Sequence, residues 1–239
     1  MNKNHEEKEV KSIGDIMAPR PPRVKKILSD VVPSSKSSLN IEQMFPKKVL
    51  LFSAMPFTIA TKTPYKLAYN YLSTTKDKKL IWVATDQPAE KVPEIFREYG
   101  MDISLFKDRI FFMDLVSSGA GVKSSEKSSQ IYYVENPDNM VEISMLLADL
   151  FDDKLVDLAV IDSINGLLAF NKQSAVTKLI RFIPVIAEKT NTTILLVLMQ
   201  GEFGADMEHA IQVTADALLS VDKDELVIKK RTSVERINL

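Results

Sequence analysis

The segment Leu158-Ala159-Val160-Ile161-Asp162-Ser163 contains four apolar residues followed by an aspartate and a serine. It ends a predicted strand over Leu155–Ile161, and an uninterrupted apolar run of this kind is typical of a strand buried on both faces of a sheet. Ligands of open parallel sheets bind beyond the carboxyl ends of the strands. Asp162 is therefore a candidate binding residue, although an aspartate in this position often only caps the next turn.

Similar apolar runs alternate with helical patterns along the chain. The predicted strands are Val49–Phe52, Leu80–Ala84, Arg109–Met113, Ile131–Val134 and Thr193–Met199, and the predicted helices are Thr63–Leu72, Ala89–Tyr99, Met140–Phe151 and Val176–Lys189. This alternation predicts an α/β fold with a mainly parallel twisted sheet flanked by helices. Two further runs, Ala217–Val221 and Leu226–Ile228, predict a closing β-hairpin at the C-terminus.

The composition excludes several classes of function. The chain has 239 residues, no cysteine, and 31 basic residues against 32 acidic ones. Disulfides, iron–sulfur clusters and thiol nucleophiles are excluded, and the balanced charge gives no general attraction to nucleic acid or to membranes. A zinc site or a Ser-His-Asp triad would have to be built around His209 with little to support it. Because no run approaches the roughly 18 apolar residues that cross a bilayer, we expect a cytoplasmic protein without membrane contact.

Residues 1–40 differ in composition from the rest of the chain. They are rich in Asn, Glu, Lys and Ser, and the prolines of Met17–Arg23 favour an extended backbone. We expect a flexible N-terminal arm over residues 1–40, which either stays disordered or binds a partner, and one domain over residues 41–239. The segment Ser117–Ser129, rich in Ser, Gly and Lys, predicts a mobile surface loop.

The connection between the first strand and the first helix has no glycine. Its sequence is Ser53-Ala54-Met55-Pro56-Phe57-Thr58-Ile59-Ala60-Thr61-Lys62-Thr63. A phosphate-binding loop needs glycines, because its backbone curls around the anion with the N–H groups inward, and it ends in Lys-Ser/Thr at a helix start. Two alignments with such a loop are possible. In the first, Lys62 and Thr63 supply that pair, but Pro56 and Thr61 occupy the glycine positions. In the second, Pro56 aligns with the proline common in such loops, and Ala60 then occupies the lysine position. We predict that this turn cannot wrap its amides around a triphosphate. The alternative to a degenerate phosphate loop is an ordinary strand–helix connection that binds no phosphate.

Taken in order, these elements resemble the RecA/KaiC-like ATPase superfamily from roughly Ile41 to Leu239. The resemblance implies a RecA-like P-loop NTPase fold, and either ATP and Mg²⁺ as cofactors or, if the loop does not hold the phosphates, no cofactor. Lys62, Thr63 and Asp162 match the nucleotide-binding positions, and Thr63 and Asp162 would hold the magnesium ion if ATP binds. Since the loop lacks glycines, the chain looks like a divergent member with a degenerate Walker A motif.

The resemblance also implies catalytic positions. The second strand of such proteins ends in an acidic pair that polarises the attacking water; here Thr85 and Asp86 occupy the pair, so one acid is missing. Gln200 matches the glutamine that senses nucleotide. Lys229 and Arg231 match a Lys-x-Arg pattern that reaches into the site of the neighbouring subunit, although a solvated strand end is the alternative interpretation.

Three functional hypotheses follow. Phosphoryl transfer depends almost entirely on positioned charge, so a chain without its own phosphate cradle would be catalytically impaired. The first hypothesis is therefore a regulatory or scaffold subunit that assembles with a protein partner or with its own copies. The second hypothesis is a weak or slow ATPase that uses Lys62, Thr63 and Asp162. The third is a nucleic-acid-binding, recombinase-like module that uses the basic segment Arg20–Lys26 and the loop Ser117–Ser129. The sequence favours the first, and with it no efficient ATPase activity.

Overall fold

The computed structural model describes residues 41, 45, 46, 48–119 and 129–238. All of them belong to one compact unit, Ser38–Leu239. The predicted arm, with its basic segment Arg20–Lys26, lies outside the described residues, as does most of the loop Ser117–Ser129. The boundary between arm and domain therefore stays a prediction.

The described strands form a single sheet. They are β1 (Val49–Ala54), β2 (Leu80–Ala84), β3 (Ile110–Asp114), β4 (Ile131–Tyr133), β5 (Leu158–Asp162), β6 (Thr193–Met199), β7 (Ala217–Asp222), β8 (Glu225–Lys230) and β9 (Val234–Asn238). Their order in space is β4-β3-β2-β5-β6-β1-β7-β8-β9. Neighbours from β4 to β7 pair in parallel, whereas β8 and β9 join antiparallel. The predicted α/β fold and its closing hairpin are confirmed.

Helices cover both faces of the sheet. They are α1 (Thr63–Thr74), α2 (Val92–Glu98), α3 (Met140–Asp153), α4 (Ile164–Phe170), α5 (Gln173–Thr190) and α6 (Ala205–Gln212). Because successive strand residues point to opposite faces, β1 places Leu50 and Phe52 in one core and Val49 and Leu51 in the other. Residues of α1 and α2 complete the first core, and residues of α3 to α6 complete the second.

Three short elements are absent from the sequence prediction. Gly166 interrupts the sequence pattern expected of a helix in α4, and α6 is mostly polar, with only Met207 and Ile211 buried. Strand β9 contains the charged residues Glu235 and Arg236, which are frequent on edge strands and hide the apolar alternation. These elements form because the sheet offers them a packing surface or a pairing edge, and a local pattern does not record that.

One predicted boundary is wrong in a way that the backbone explains. Strand β5 begins at Leu158 and not at Leu155, since Leu155 has a left-handed φ of 51° where α3 ends. The Leu155 side chain is 71% exposed, so its apolar character does not indicate burial.

Arg109 joins the end of α1 to the start of β3. Its guanidinium donates hydrogen bonds of 2.8 Å to the carbonyl oxygens of Leu72 and Thr75, and it lies 5.1 Å from the centre of the Phe106 ring. Carbonyls in the last turn of a helix have no partner inside the helix. Arg109 therefore satisfies groups that would otherwise depend on solvent.

We expect Arg109→Met to lower the free energy of unfolding by about 1–3 kcal/mol, because both carbonyls lose a charged donor while the apolar stem is kept. Urea denaturation of the purified protein measures the change. Lys107→Met is the matched control, since the Lys107 residue is exposed and an exposed substitution should cost less than about 0.5 kcal/mol. Equal losses in the two variants would contradict the role assigned to Arg109.

Candidate functional site

Four neighbouring strands end at one edge of the sheet and bring predicted site residues together. The order β2-β5-β6-β1 places their carboxyl ends side by side. Asp86 follows β2, Asp162 ends β5 and Gln200 follows β6. The loop after β1 leads to Lys62 and Thr63 at the start of α1. These residues therefore lie along one edge, where open parallel sheets bind their ligands.

Asp162 accepts a hydrogen bond from a tyrosine of α1. The Tyr65 hydroxyl lies 2.8 Å from Asp162 Oδ2, and the Gln87 side chain donates to the same hydroxyl at 3.4 Å. Tyr65 is 7% exposed, and its ring packs 4.5 Å from Trp82 and 5.0 Å from Phe96, measured between ring centres. The hydroxyl is thus held against the carboxylate by core packing.

The surroundings change the ionisation of both aspartates at this edge. Burial, and to a smaller extent the charge of Asp86, raise the pKa of Asp162 to about 7, against the lowering effect of the Tyr65 hydrogen bond. Burial and then the Asp162 carboxylate raise the pKa of Tyr65, so the hydroxyl keeps its proton and acts as the donor. Partial burial of its carboxyl also raises the pKa of Asp86, opposed by the Ser163 hydrogen bond.

The segment after β2 is bonded to the segment after β5. The Thr85 hydroxyl donates to the Ser163 carbonyl at 2.6 Å, and the Ser163 hydroxyl donates to Asp86 Oδ2 at 2.7 Å. A Cβ atom at Gly166 would lie 2.2 Å from Asp86 Oδ1 and 2.4 Å from the Thr85 carbonyl oxygen. Residue 166, in the first turn of α4, must therefore be glycine, because the chain after β2 passes too close to leave room for a side chain.

Gln200 and Asn165 tie β6 to its neighbours. Gln200 Nε2 donates to Ser53 Oγ on β1 at 2.8 Å. Asn165 donates from Nδ2 to Glu202 Oε2 at 2.7 Å, and its Oδ1 accepts from the Met199 amide at 2.8 Å. The placement of Gln200 agrees with the sequence prediction, whereas Asn165 and Glu202 were not predicted.

Tyr65 was also not predicted as a site residue. It lies three residues after Lys62 on α1, and residues at that spacing share a helix face. The spacing could have placed Tyr65 at the same edge, but nothing in the sequence indicates a bond to Asp162, which lies 97 positions away.

The loop after β1 differs from the steric expectation in one respect. Phe57 has a φ of 58°, so a bulky residue does adopt the left-handed conformation that was expected only of glycine. The side chain is fully exposed, at 104%, and meets no neighbour, so the cost of this conformation is only the local clash with the residue's own backbone. Ile59 is 65% exposed. Neither side chain fills the site.

Two backbone amides of this loop are bonded within the loop. Residues Ile59–Lys62 form a 3₁₀ turn in which the Thr61 amide donates to the Thr58 carbonyl at 3.1 Å, and the Thr63 amide donates to the Ala60 carbonyl. Thr63 is 2% exposed, while Lys62 is half-buried. The amides of Thr61 and Thr63 are therefore already paired.

Lys229 and Arg231 lie away from this group. Lys229 is on β8, four inter-strand steps from β5 and thus about 19 Å from Asp162 at the usual strand spacing. Both residues are exposed, and neither forms an ion pair with another described residue. They therefore do not belong to the site of their own chain.

Two features are absent from the described residues. No group of three or more His, Asp or Glu side chains there is arranged to hold a metal ion. Within the same residues, no helix has the length and apolar character needed to cross a membrane.

The fold and the edge residues define a RecA/KaiC-like protein, and comparison with known proteins gives the family. Residues 60–237 match the KaiC ATPase model, so the chain belongs to the KaiC family of ATPases. A UPF0273 protein of Sulfurisphaera tokodaii is 26% identical over 183 residues, which are 75% of this chain and 62% of that protein. The chain thus spans less than two thirds of the length of that curated relative.

Solved structures share the fold at low sequence identity. A KaiC-like protein of Pyrococcus horikoshii has a TM-score of 0.56 at 13% identity, over 80% of this chain and 84% of that one. An uncharacterised P. horikoshii protein, crystallised with an unknown peptide, has 0.57 at 12%, over 81% and 93%. The flagellar accessory protein FlaH of Methanocaldococcus jannaschii has 0.54 at 14%, over 82% and 85%. These likenesses show the fold alone.

We expect Asp162→Asn to stabilise the protein increasingly as the pH rises. A folded-state pKa of about 7 lies above the usual value near 3.9, so the contribution of the protonated carboxyl is complete below about pH 4 and is lost as the pH rises through about 7. Asparagine cannot ionise and keeps an acceptor for Tyr65. The gain over wild type should grow by on the order of 2 kcal/mol between about pH 5 and pH 8.

Thermal and urea unfolding at both pH values measure this difference. Asp77→Asn, at an exposed position, is the matched control for the loss of one carboxylate. A stability difference between Asp162→Asn and wild type that does not change with pH would show that the environment of Asp162 is wrongly described.

Proposed function

We propose that this KaiC-family chain is a catalytically impaired member that acts as a regulatory or scaffold subunit, assembling with a protein partner or with its own copies. The observation that carries the proposal is the 2.8 Å hydrogen bond from Tyr65 to Asp162 Oδ2. An aspartate that holds magnesium in this fold directs its oxygens to the metal or to metal-bound water. Here one of those oxygens, Oδ2, instead accepts a hydrogen bond from the Tyr65 hydroxyl of its own chain.

The ionisation of Asp162 supports the same proposal. Magnesium binds carboxylates in the ionised form. With a pKa of about 7, Asp162 carries only part of its charge at neutral pH, and a metal would have to displace both the proton and the Tyr65 hydroxyl. The residues at this position therefore fit Mg²⁺ poorly.

The paired amides of the loop are a second support. A phosphate cradle is a run of backbone N–H groups that point at the anion. The amides of Thr61 and Thr63 instead donate to the carbonyls of Thr58 and Ala60. Binding a triphosphate here would require the 3₁₀ turn to open, so the loop also fits ATP poorly.

The positions of Lys229 and Arg231 support a role in assembly. Both are exposed and lie too far from Asp162 to serve the site of the same chain. The proposal assigns these two cations to the site of a neighbouring KaiC-family subunit. The structural relative crystallised with an unknown peptide is a precedent for protein contact in this fold.

A slow ATPase is the second candidate. It is favoured by one observation, namely that Lys62, Thr63 and Asp162 lie at the same edge of the sheet, as a nucleotide site would require. The two candidates differ in whether the wild-type loop accepts Mg-ATP.

Isothermal titration with ATP and magnesium separates them. We expect no binding by the wild-type protein at about 1 mM nucleotide, which corresponds to less than about 4 kcal/mol of binding free energy. Tight binding of Mg-ATP, together with an ATP turnover that Lys62→Ala abolishes, would refute the proposal of a catalytically impaired member. That result would establish the slow ATPase.

A variant with glycines in the loop and without the Tyr65 hydroxyl tests whether these features prevent nucleotide binding. Pro56→Gly, Thr61→Gly and Tyr65→Phe together supply the two loop glycines and remove the hydroxyl from Asp162. We expect this triple variant to bind Mg-ATP at least about tenfold more tightly than wild type. The same variant with Lys62→Ala is the matched control and should lose the gain. If wild type and the triple variant bind equally well, the loop and Tyr65 are not what limits binding.

A further inference from the structure

Two helices on the same side of the sheet leave apolar side chains in water. Helix α3 packs against α5, and residues of both belong to the second core. On the outer side of α3, Val141 and Met145 are 69% and 63% exposed, and on the outer side of α5, Phe182 and Val185 are 57% and 62% exposed. Exposed apolar groups that occur together often mark interaction sites. The outer surfaces of these two helices are therefore candidates for an interface.

The outer surface of α3 is acidic as well as apolar. Residues three or four positions apart lie on one side of a helix, so the exposed Asp149 and Asp152 continue the line that Val141 and Met145 begin. These four residues are here called the acidic face. Helix α3 contains four acidic residues and neither lysine nor arginine, so no cation within the helix offsets this charge.

The outer surface of α5 carries the opposite charge. Lys178 and Arg181 are exposed, and they lie one helical turn before Phe182 and Val185, on the same side of the helix. These four residues are here called the basic face. Helix α5 contains three basic residues and one acidic residue, so its charge is positive where that of α3 is negative.

The charges of the two faces are not neutralised within the part of the chain that the structure describes. There, Asp149, Lys178 and Arg181 take part in no ion pair. Each face also contains a shallow open depression, lined among other residues by Met145 and Asp149 on α3 and by Lys178 and Arg181 on α5. The two faces are therefore complementary in charge, and each has both exposed apolar side chains and room for the side chains of a partner.

We propose that two copies of this chain form a twofold symmetric dimer in which the acidic face of α3 in each copy binds the basic face of α5 in the other. Both helices run from the carboxyl end of the sheet to its amino end, since each leads towards the start of the next parallel strand. A half turn about an axis that lies between the two helices and parallel to them places α3 of each copy over α5 of the other. The same contact then occurs twice and uses both faces of each copy, so the assembly stops at two copies.

The partner is a second copy because the surface complementary to each face lies beside it on the same chain. The contact rests on the proposed function, for which it supplies the partner of the assembly. It lies on the helical layer and leaves the carboxyl edge of the sheet, with Lys62 and Asp162, uncovered. Nucleotide binding and dimer formation can therefore be measured independently.

Sedimentation velocity of the full chain without nucleotide tests the dimer. We expect a monomer–dimer equilibrium with a Kd below about 100 μM and no larger species. Asp149→Lys and Arg181→Glu should each raise the Kd at least about tenfold, because each variant sets like charges against one another in both contacts. An equimolar mixture of the two variants should dimerise more tightly than either variant alone. In the mixed dimer one contact combines the two reversed charges and the other is unchanged, so opposite charges face each other in both.

The apolar part of the contact has its own variant and control. Phe182→Ser should also raise the Kd at least about tenfold, because it removes an aromatic side chain from the interface. The matched control is Leu105→Ser, which removes an apolar side chain that is 71% exposed. Leu105 lies in the 3₁₀ turn Ile103–Phe106, which packs on the first core, on the other side of the sheet. Circular dichroism of each variant checks that it is folded.

Three results would overturn the proposed contact. They are a wild-type chain that stays monomeric at about 100 μM, which would leave the two faces to a different protein, equal weakening by Phe182→Ser and Leu105→Ser, and a mixture of charge variants that dimerises no better than its components. A monomer that binds no Mg-ATP would refute the contact and leave the catalytic impairment standing. A dimer with Mg-ATP turnover would refute the proposed function and leave the contact standing.

Discussion

The burial of β5 between β2 and β6 is the constraint on which the site depends. The residues from Leu158 to Ile161 are fully buried, and parallel pairing aligns Ala84 of β2 with Asp162. Because apolar burial ends at the same level in both strands, the first polar residues after them meet at the sheet edge. The bonds that join Thr85, Asp86 and Ser163 follow from this register.

Core packing also determines the chemistry at the edge. The ring of Tyr65 lies among Trp82, Phe96 and Tyr99, with centres 4.5 to 5.4 Å away. Aromatic contacts of this kind restrict the ring, so the hydroxyl is directed at Asp162. The same burial that raises the pKa of Asp162 makes its charged form costly, and the hydroxyl offsets part of that cost. An apolar cluster thereby adjusts the ionisation of a carboxylate at the edge of the sheet.

The loop after β1 contains a positive φ at a residue that is not glycine. Glycine is normally required where φ is positive, because a side chain would collide with the backbone or with neighbours. Phe57 adopts such a φ nevertheless, and its side chain projects into solvent, where it meets no neighbour. The amides of Thr61 and Thr63 are paired within the loop, and its exposed side chains Met55, Phe57 and Ile59 are apolar.

The sequence by itself determined the α/β class, the main strands and helices, and the placement of Asp86, Asp162 and Gln200 at one edge, because uninterrupted apolar strands and the residues that end them are local signals. Only the tertiary structure decided the bond between Tyr65 and Asp162, the need for glycine at residue 166, and the distance of Lys229 from the site. Each of these depends on contacts between residues far apart in the chain, which no local pattern contains. Short elements such as β9 form only where a neighbouring strand is present to pair with them.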